Sequence, residues 1–458
     1  MSGMKRVLSA RSVAAAGAGF AFATLSIVAD VQVADLMPGN TGWIAVLAAA
    51  LVCIVASACF GELSAMFPTS AGVRVYIQKA FNEKLAVPLS AAYIFTVVAA
   101  SGAEAYVFGS VFEILIPSGP SLWFYIFLGF IIVGTINYFG IEITSGVQNL
   151  LSLTMFLFLV SISLAAIIKF DIRFDNWYNP LGEGSSLEGF IAAIALAIFL
   201  FAGFEWVTAL SEETREQSVI SRGMIGAILI LCIVYALLNF ALVSAVPKEV
   251  LTGKQVWTDG INYGARPHVV FVKVIFGSYE IIGLIGVGLL SFLASMTSFN
   301  AGILTTSRFL YAMSRDKTMP RYLSKLHSEY FTPYAAIITL CAVAVTSSVL
   351  MGLLGGFDSF TYAVAGSEVM MYFLAALCVI KLRRKAPTLE RPYQVPGNPF
   401  STILMVLFFG LLFVMVYATP EKEARLGLAI LIAIVLIMIG HTVLIIPRLR
   451  SKRKKKSL

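Results

Sequence analysis

Residues 189–210 form one apolar stretch that contains a charge. It opens at Gly189-Phe190 and runs to Phe201-Ala202-Gly203-Phe204-Glu205-Trp206-Val207. A helix crosses a bilayer in about 20 apolar residues, so the stretch reads as a membrane span. A carboxylate inside such a span costs roughly 2.5–3.5 kcal/mol. Glu205 is therefore expected to face protein or water rather than lipid, as a group does at a solute site near the membrane midplane.

The rest of the chain agrees. Of 458 residues, 59% are hydrophobic and 13% charged, whereas a soluble domain is about 45–50% apolar and about 25% charged. The chain reads as an all-α polytopic membrane protein. Hydropathy predicts twelve spans, near 13–36, 43–66, 85–115, 121–138, 147–168, 189–210, 222–245, 278–312, 334–354, 357–381, 400–418 and 425–447. The third and eighth exceed one crossing and are expected to tilt or protrude. Lys5, Arg6 and Arg11 precede an apolar stretch too long for a signal peptide's core, so the first span is read as retained. Cys53, Cys59, Cys232, Cys341 and Cys378 all lie inside apolar spans without metal-site spacing, so packing is their expected role. The net charge of +8 gathers at the tail, Arg448 to Lys456. Beside a last span, such a tail meets anionic lipid headgroups rather than nucleic acid.

Short loops on the amino-terminal side hold clusters such as Arg315, Lys317, Arg321 and Lys325, then Arg383, Arg384, Lys385 and Arg391. The opposite loops are more sparsely basic, and this bias places both termini in the cytoplasm of a cell-membrane protein. The longest outer loop, 246–277, contains Trp257, Asn262-Tyr263-Gly264 and His268, and a short surface helix is expected there. Span 1 carries Gly17-Ala18-Gly19 and then Thr24-Leu25-Ser26, and span 6 carries Ala202-Gly203. Small residues at matching positions of two halves point to inverted repeats with broken helices. The expected organisation is a cytoplasmic segment 1–12, a first five-helix repeat 13–168, a second 189–381, two appended helices in 400–447, and a basic tail 448–458.

Several stretches resemble the amino acid–polyamine–organocation permease superfamily. Phe60-Gly61-Glu62-Leu63-Ser64-Ala65-Met66-Phe67-Pro68-Thr69-Ser70-Ala71-Gly72 is similar to its "YAELASRFPKAGG". Phe201-Ala202-Gly203-Phe204-Glu205 resembles "FxGFE", and Ser211-Glu212-Glu213-Thr214 the "AEE" that follows. Ser298-Phe299-Asn300-Ala301, with Ser307-Arg308-Phe309-Leu310-Tyr311-Ala312-Met313-Ser314-Arg315-Asp316, resembles "SSLNAxLxxxSRxLfAlaRD". Arg391-Pro392-Tyr393 resembles "RPf". The resemblance implies a five-plus-five inverted repeat of LeuT type with helices 1 and 6 broken. It further implies secondary transport of amino acids or related amines between helices 1, 3, 6 and 8. Backbone N–H groups at the first break would bind a carboxylate and carbonyls at the sixth an amine, and the physics of helix ends supports both. The expected substrate contacts are then Thr24, Leu25, Ser26 and Ile27, with Phe201, Ala202, Gly203, Phe204 and Trp206.

This chain also departs from the pattern. The family's first break reads "GSGIF", and Thr24-Leu25-Ser26-Ile27-Val28 stands there without either glycine. The hydroxyls of Thr24 and Ser26 either donate to cargo or bond to carbonyls one turn earlier. Met155 stands where relatives often carry a lysine in helix 5. Coupling then rests on sodium, with Thr297 and Ser298 as candidate ligands, or on acids. Glu205, Glu104, Asp30 and Glu368 are the candidate proton-coupling or cation-binding groups. Asp30 has a plainer reading as a vestibule residue, and Glu368 as one at the outer mouth. Glu62 with Arg74, and Glu212 with Arg215, are expected as rim pairs: an inner gate, or surface pairs worth less than about 1 kcal/mol. Trp206 is a candidate cation–π lid, with core packing as the alternative.

The leading expectation is a proton-coupled transporter needing no cofactor, with zwitterionic amino acids and cationic amines both open as cargo. An enzyme is not expected. His268, His327 and His441 lie far apart, and no HExxH, GxSxG or phosphate loop occurs. A sensor that binds without moving its ligand is the reading from another class.

Overall fold

The computed structural model describes residues 4–116, 118–170, 178–181, 186–216, 218–251, 254–255, 267–276, 280–354, 357–418 and 422–447. Trp257, Asn262-Tyr263-Gly264 and the basic tail from Arg448 lie outside them. Among the described residues the regular elements are helical, and a single strand-like bridge ties Leu8 to Thr214. The α-helices are α1 (Ala10–Ala21), α2 (Thr24–Leu36), α3 (Gly42–Met66), α4 (Gly72–Ala80), α5 (Glu83–Leu115), α6 (Leu122–Tyr138), α7 (Ile141–Lys169) and α8 (Leu187–Ala197). There follow α9 (Ser218–Ala245), α10 (Lys248–Leu251), α11 (Pro267–Phe276), α12 (Glu280–Arg315), α13 (Tyr334–Leu354), α14 (Phe357–Lys385), α15 (Phe400–Tyr417) and α16 (Lys422–Gly440). Ten described helical runs are long and apolar enough to cross a bilayer; the bent pair α1–α2 and the 17-residue α6 complete the twelve expected spans.

Polar and apolar residues are distributed as lipid demands. The outer surface shows Leu51, Ile131, Leu150, Leu153, Leu407 and Ile437, while Glu104, Glu205, Glu368, Gln148 and Asn300 are buried. Water would reverse that preference, so the chain is a multi-pass membrane protein. At the centre, α1 packs on α9, α7 and α12, and the 33-residue α5 packs against α12, α13, α14 and α16. The α15–α16 pair lies against α14 at the edge.

Two spans break, and they break against each other. At Phe22 and Ala23 the backbone leaves helical geometry (ψ 51° and 153°), and α2 departs from α1 by 66°. In the sixth span α8 tightens into a 3-10 turn, Ile198–Phe201, and Gly203 then turns at φ 125°. That left-handed geometry is open to glycine and strained for other residues. A side chain at Gly203 would also meet Phe20 Cβ at 2.7 Å, and one at Gly17 would meet Phe204 Cα at 3.3 Å. Beyond the break, Phe204–Glu213 winds as a 3-10 helix, longer than the three or four residues that geometry usually holds.

Two short helices differ from expectation. α4 forms in the loop between spans 2 and 3, which had no predicted element. In the outer loop α10 is a short helix with Glu249 exposed, as expected there, whereas α11 is buried, with His268 Nε2 3.1 Å from Ser291 Oγ of α12.

The rim pairs also differ. Glu62 is bound not by Arg74 but by Arg383 (2.6 Å) and Arg391 (3.4 Å), and it accepts from the Val395 N–H. Arg74, on α4, reaches Asp316. Glu212 takes a forked pair from Arg315 (2.6 and 2.7 Å) and N–H and O–H bonds from Ser70 and Thr69, while Arg215 donates to the Val7 carbonyl. Buried beneath them, Arg308 Nε meets Glu213 Oε2 at 3.1 Å with both side chains almost wholly enclosed. The Glu213 carbonyl receives the N–H groups of Val7 and Leu8, so the amino-terminal segment is fastened to the end of the sixth span. Glu62 and the Arg308–Glu213 pair are buried and Arg315 is exposed, and together these contacts bind spans 2, 6, 8 and 10 at one end of the bundle.

Two outcomes follow for purified protein in detergent. Gly203→Ala lowers stability by about 1–3 kcal/mol through the forced positive φ; an unchanged thermal midpoint would contradict the break as described. Arg308→Met leaves Glu213 buried without a counter-charge and costs about 3–5 kcal/mol. Adding Glu213→Gln recovers part of that loss, and strict additivity of the two changes would show that the groups do not interact.

Candidate functional site

The break in the first span exposes the N–H groups that open α2, and other spans satisfy them. Glu104, on α5, accepts from Thr24 N (3.0 Å) and Thr24 Oγ1 (2.6 Å) on Oε1, and from Leu25 N (3.1 Å) on Oε2. Ser295 of α12 adds a bond to Oε1 at 2.8 Å. The Thr24 hydroxyl thus donates to a carboxylate from another span, not to a carbonyl one turn back. Ser26 N turns to the Ala23 carbonyl, and on the other side of the break Tyr235 of α9 donates to the Ala21 carbonyl. Ser26 and Ile27 are buried, and Leu25 is half-buried.

The break in the sixth span holds a second acidic centre. Glu205 Oε1 accepts from the Tyr93 hydroxyl at 3.1 Å; Oε2 accepts from Tyr372 at 3.0 Å and from Gly203 N at 3.2 Å. Glu368, on α14, lies within hydrogen-bonding reach of Glu205 and accepts from Trp206 Nε1 at 3.3 Å. A hydrogen bond between two carboxyl groups needs a proton on one of them. Without it, two like charges face each other where the dielectric is low. Glu368 is therefore a partner of Glu205 inside the bundle rather than a residue of the outer mouth. The rings enclose the pair. Trp206 stacks on Tyr93 with centroids 3.7 Å apart, and Phe204 stacks on Tyr372 at 5.6 Å. With one face against Tyr93 and 2% of its surface exposed, Trp206 acts as a wall rather than an open cation–π lid. Phe201 is fully buried, and Ala202 forms the turn itself.

The remaining candidates stand apart. Asp30 is fully buried on α2, where Asn239 of α9 donates one N–H to its carboxylate (2.9 Å) and one to its carbonyl (2.8 Å). It is neither in an open vestibule nor joined to the Glu205 centre by any hydrogen bond among the described residues. Thr297 donates to the Leu293 carbonyl, the ordinary bond of a threonine within a helix, and Ser298 is buried beside it. Met155 is enclosed in the core. Polar contact between α7 and the first span comes from Gln148 and Ser152, which reach the Ala15 carbonyl at 3.2 and 2.8 Å. Asn300 and Asn137 extend this network to α12 and α6. A Cβ added at Gly19 would lie 1.9 Å from Gln148 Nε2, so the small residue admits the amide.

A groove of about 780 Å³ between α6 and α13 is lined by Phe130, Ile131, Tyr138, Ile338 and Val345. Its walls are apolar and open outward, which suits a lipid chain better than a polar solute.

Sequence reasoning missed Tyr93, Tyr372, Ser295, Gln148 and the Arg308–Glu213 pair. Two had a signal. Tyr93 and Glu104 stand eleven residues apart, three turns on one face of α5. Arg308 is a base inside the apolar length of α12, and such a residue needs a buried acid.

Comparison with known proteins agrees with this architecture. The model of the family described as amino acid permease matches residues 8–440. The branched-chain amino acid permease BcaP of Bacillus subtilis is 26% identical over 429 residues, covering 88% of this chain and 87% of that protein. The serine/threonine exchanger SteT of the same organism is 26% identical over 382 residues, 81% and 82% of the two chains. A crystal structure of a manganese transporter mutant, H236A, from Eremococcus coleocola superposes with a TM-score of 0.62 over 97% of this chain and 94% of that one. At 12% identity that likeness speaks for the fold alone, and the fold is the five-plus-five inverted repeat with first and sixth helices broken. With geometry, order of spans and motifs in accord over nearly its whole length, the chain belongs to the amino acid permease family.

Proposed function

We propose that this protein is a secondary transporter of the cell membrane that carries an amino acid or a related amine by alternating access. Proton transfer at the Glu205–Glu368 pair biases the cycle, and both termini lie in the cytoplasm. The observation that carries the reading is the carboxyl pair itself, buried at the break of the sixth span and wired to Tyr93, Tyr372 and Trp206. A pair that holds one proton comfortably and two charges badly responds to proton supply on whichever side it meets water. Its tyrosines sit on α5 and α14, so a change in its charge pulls on elements outside the broken span.

The rim supports the same cycle. Glu212–Arg315, Glu213–Arg308, Arg74–Asp316 and Glu62–Arg383 close the end of the bundle where the amino-terminal segment is fastened. Opening that end separates these pairs, so this arrangement corresponds to the state closed to the cytoplasm. Two relatives named for amino acids point to that cargo class, whereas the manganese transporter shares the fold with a different cargo. The repeats proposed with this reading are 13–168 and 189–381, each with its break in its first span.

Purified protein in liposomes tests the reading. Labelled cargo enters against preloaded unlabelled cargo, and an imposed proton gradient drives net uptake. Glu205→Gln removes the pH dependence of that uptake, with gradient-driven flux falling roughly tenfold or more, the scale of one lost charge-assisted hydrogen bond. Unaltered pH dependence in this variant would remove Glu205 from coupling. Ligand binding with no flux in the wild type would make the protein a sensor.

A further inference from the structure

A solute carboxylate entering this bundle would seek the start of α2, where free N–H groups and the helix dipole favour an anion. The chain fills that place itself. Glu104 Oε1 takes three donors, from Thr24 N, Thr24 Oγ1 and Ser295 Oγ, and Oε2 takes Leu25 N. The third N–H of the turn, that of Ser26, is spent on Ala23. An incoming carboxylate would have to displace a buried one that makes four hydrogen bonds, and would then lie against its charge.

No base at this depth offers an alternative among the described residues. The buried arginines are Arg74 and Arg308, each paired with an acid at the rim, and no lysine is buried. Glu104, Glu205 and Glu368 are instead all enclosed acids. Bonding capacity is left among their oxygens: Glu104 Oε2 has one donor where Oε1 has three, and Glu368 Oε2 is buried with no donor from outside the carboxyl pair. A carboxylate oxygen in low dielectric calls for a donor or a positive charge.

We infer that Glu104 stands in for the carboxylate an amino acid would bring, so that the cargo is an organic amine without a carboxylate group. Its ammonium is received by the acidic interior, with Glu104 Oε2 at the break as the first acceptor. This rests on the transport reading above and narrows its cargo. The α-carboxylate seat, open in principle at any helix break, is closed here by a side chain from 80 residues away.

The test compares matched pairs in liposomes holding the wild-type protein: leucine with isoamylamine, and lysine with cadaverine. Each compound competes for counterflow. The expected result is that the amine of each pair exchanges at concentrations roughly tenfold lower or more than its parent amino acid. Parent amino acids that exchange as well as the amines overturn the inference and leave the transport reading in place. Exchange by no member of either pair overturns both. Glu104→Ala should shift preference toward the parent amino acid, and Glu104→Gln should weaken the amine while preserving the shape of the side chain. Equal loss of both partners in a folded Glu104→Gln protein overturns the assignment to Glu104. Should Glu104→Ala not fold, the wild-type comparison decides alone.

Discussion

A peptide group without a hydrogen-bond partner cannot be left facing lipid, and the centre of this protein is organised around that constraint. Breaking the first span at Phe22-Ala23 frees N–H groups on one side and carbonyls on the other. Glu104, itself held by a hydrogen bond from Ser295, closes the first set, and Tyr235 donates to the Ala21 carbonyl on the other side. The partners come from α5, α12 and α9, so the break ties four parts of the bundle together. In the sixth span Gly203 makes the turn, and Glu205 folds back onto its N–H. Each discontinuity is thus a junction rather than a gap.

Charge is divided between two regions with opposite character. At one end, acids and bases are matched, from the enclosed Glu213–Arg308 pair to the forked Glu212–Arg315 contact. Such pairs are strong against removal of one partner, because the other is left uncompensated. In the interior, Glu104, Glu205 and Glu368 have no base beside them among the described residues and lean on hydroxyls, an indole and backbone N–H groups. The first region ties the ends of several spans together. The second is acidic, and among the described residues no buried base neutralises it. A transporter needs both: a closure that can open, and a centre whose affinity changes with what it holds.

The twelve spans were legible because hydrophobic length is a local property, visible in any window of about 20 residues. The breaks were legible for a related reason. Gly203 beside Glu205, and the small residues before Thr24, interrupt a pattern that otherwise runs on. The rim was not. Glu62 and Arg74 are near in sequence, yet α4 carries Arg74 toward Asp316 and leaves Glu62 to Arg383, more than three hundred residues away. Glu368 showed only as an acid near a span end; its contact with Glu205 depends on how α14 leans into the bundle. α11 looked superficial because its neighbour in contact, α12, follows in a long span whose facing side no local window reveals.

Taken alone, the sequence determined that this chain lives in a bilayer, how many times it crosses, where two crossings fail, and which acids lie deep inside spans. Tertiary structure decided which acid meets which donor. It turned Glu104 from a general cation-binding candidate into the group that occupies the start of α2, and it joined Glu205 to Glu368. The reason is physical: burial follows from composition along one helix, whereas a hydrogen bond needs two faces from distant parts of the chain to meet within about 3 Å.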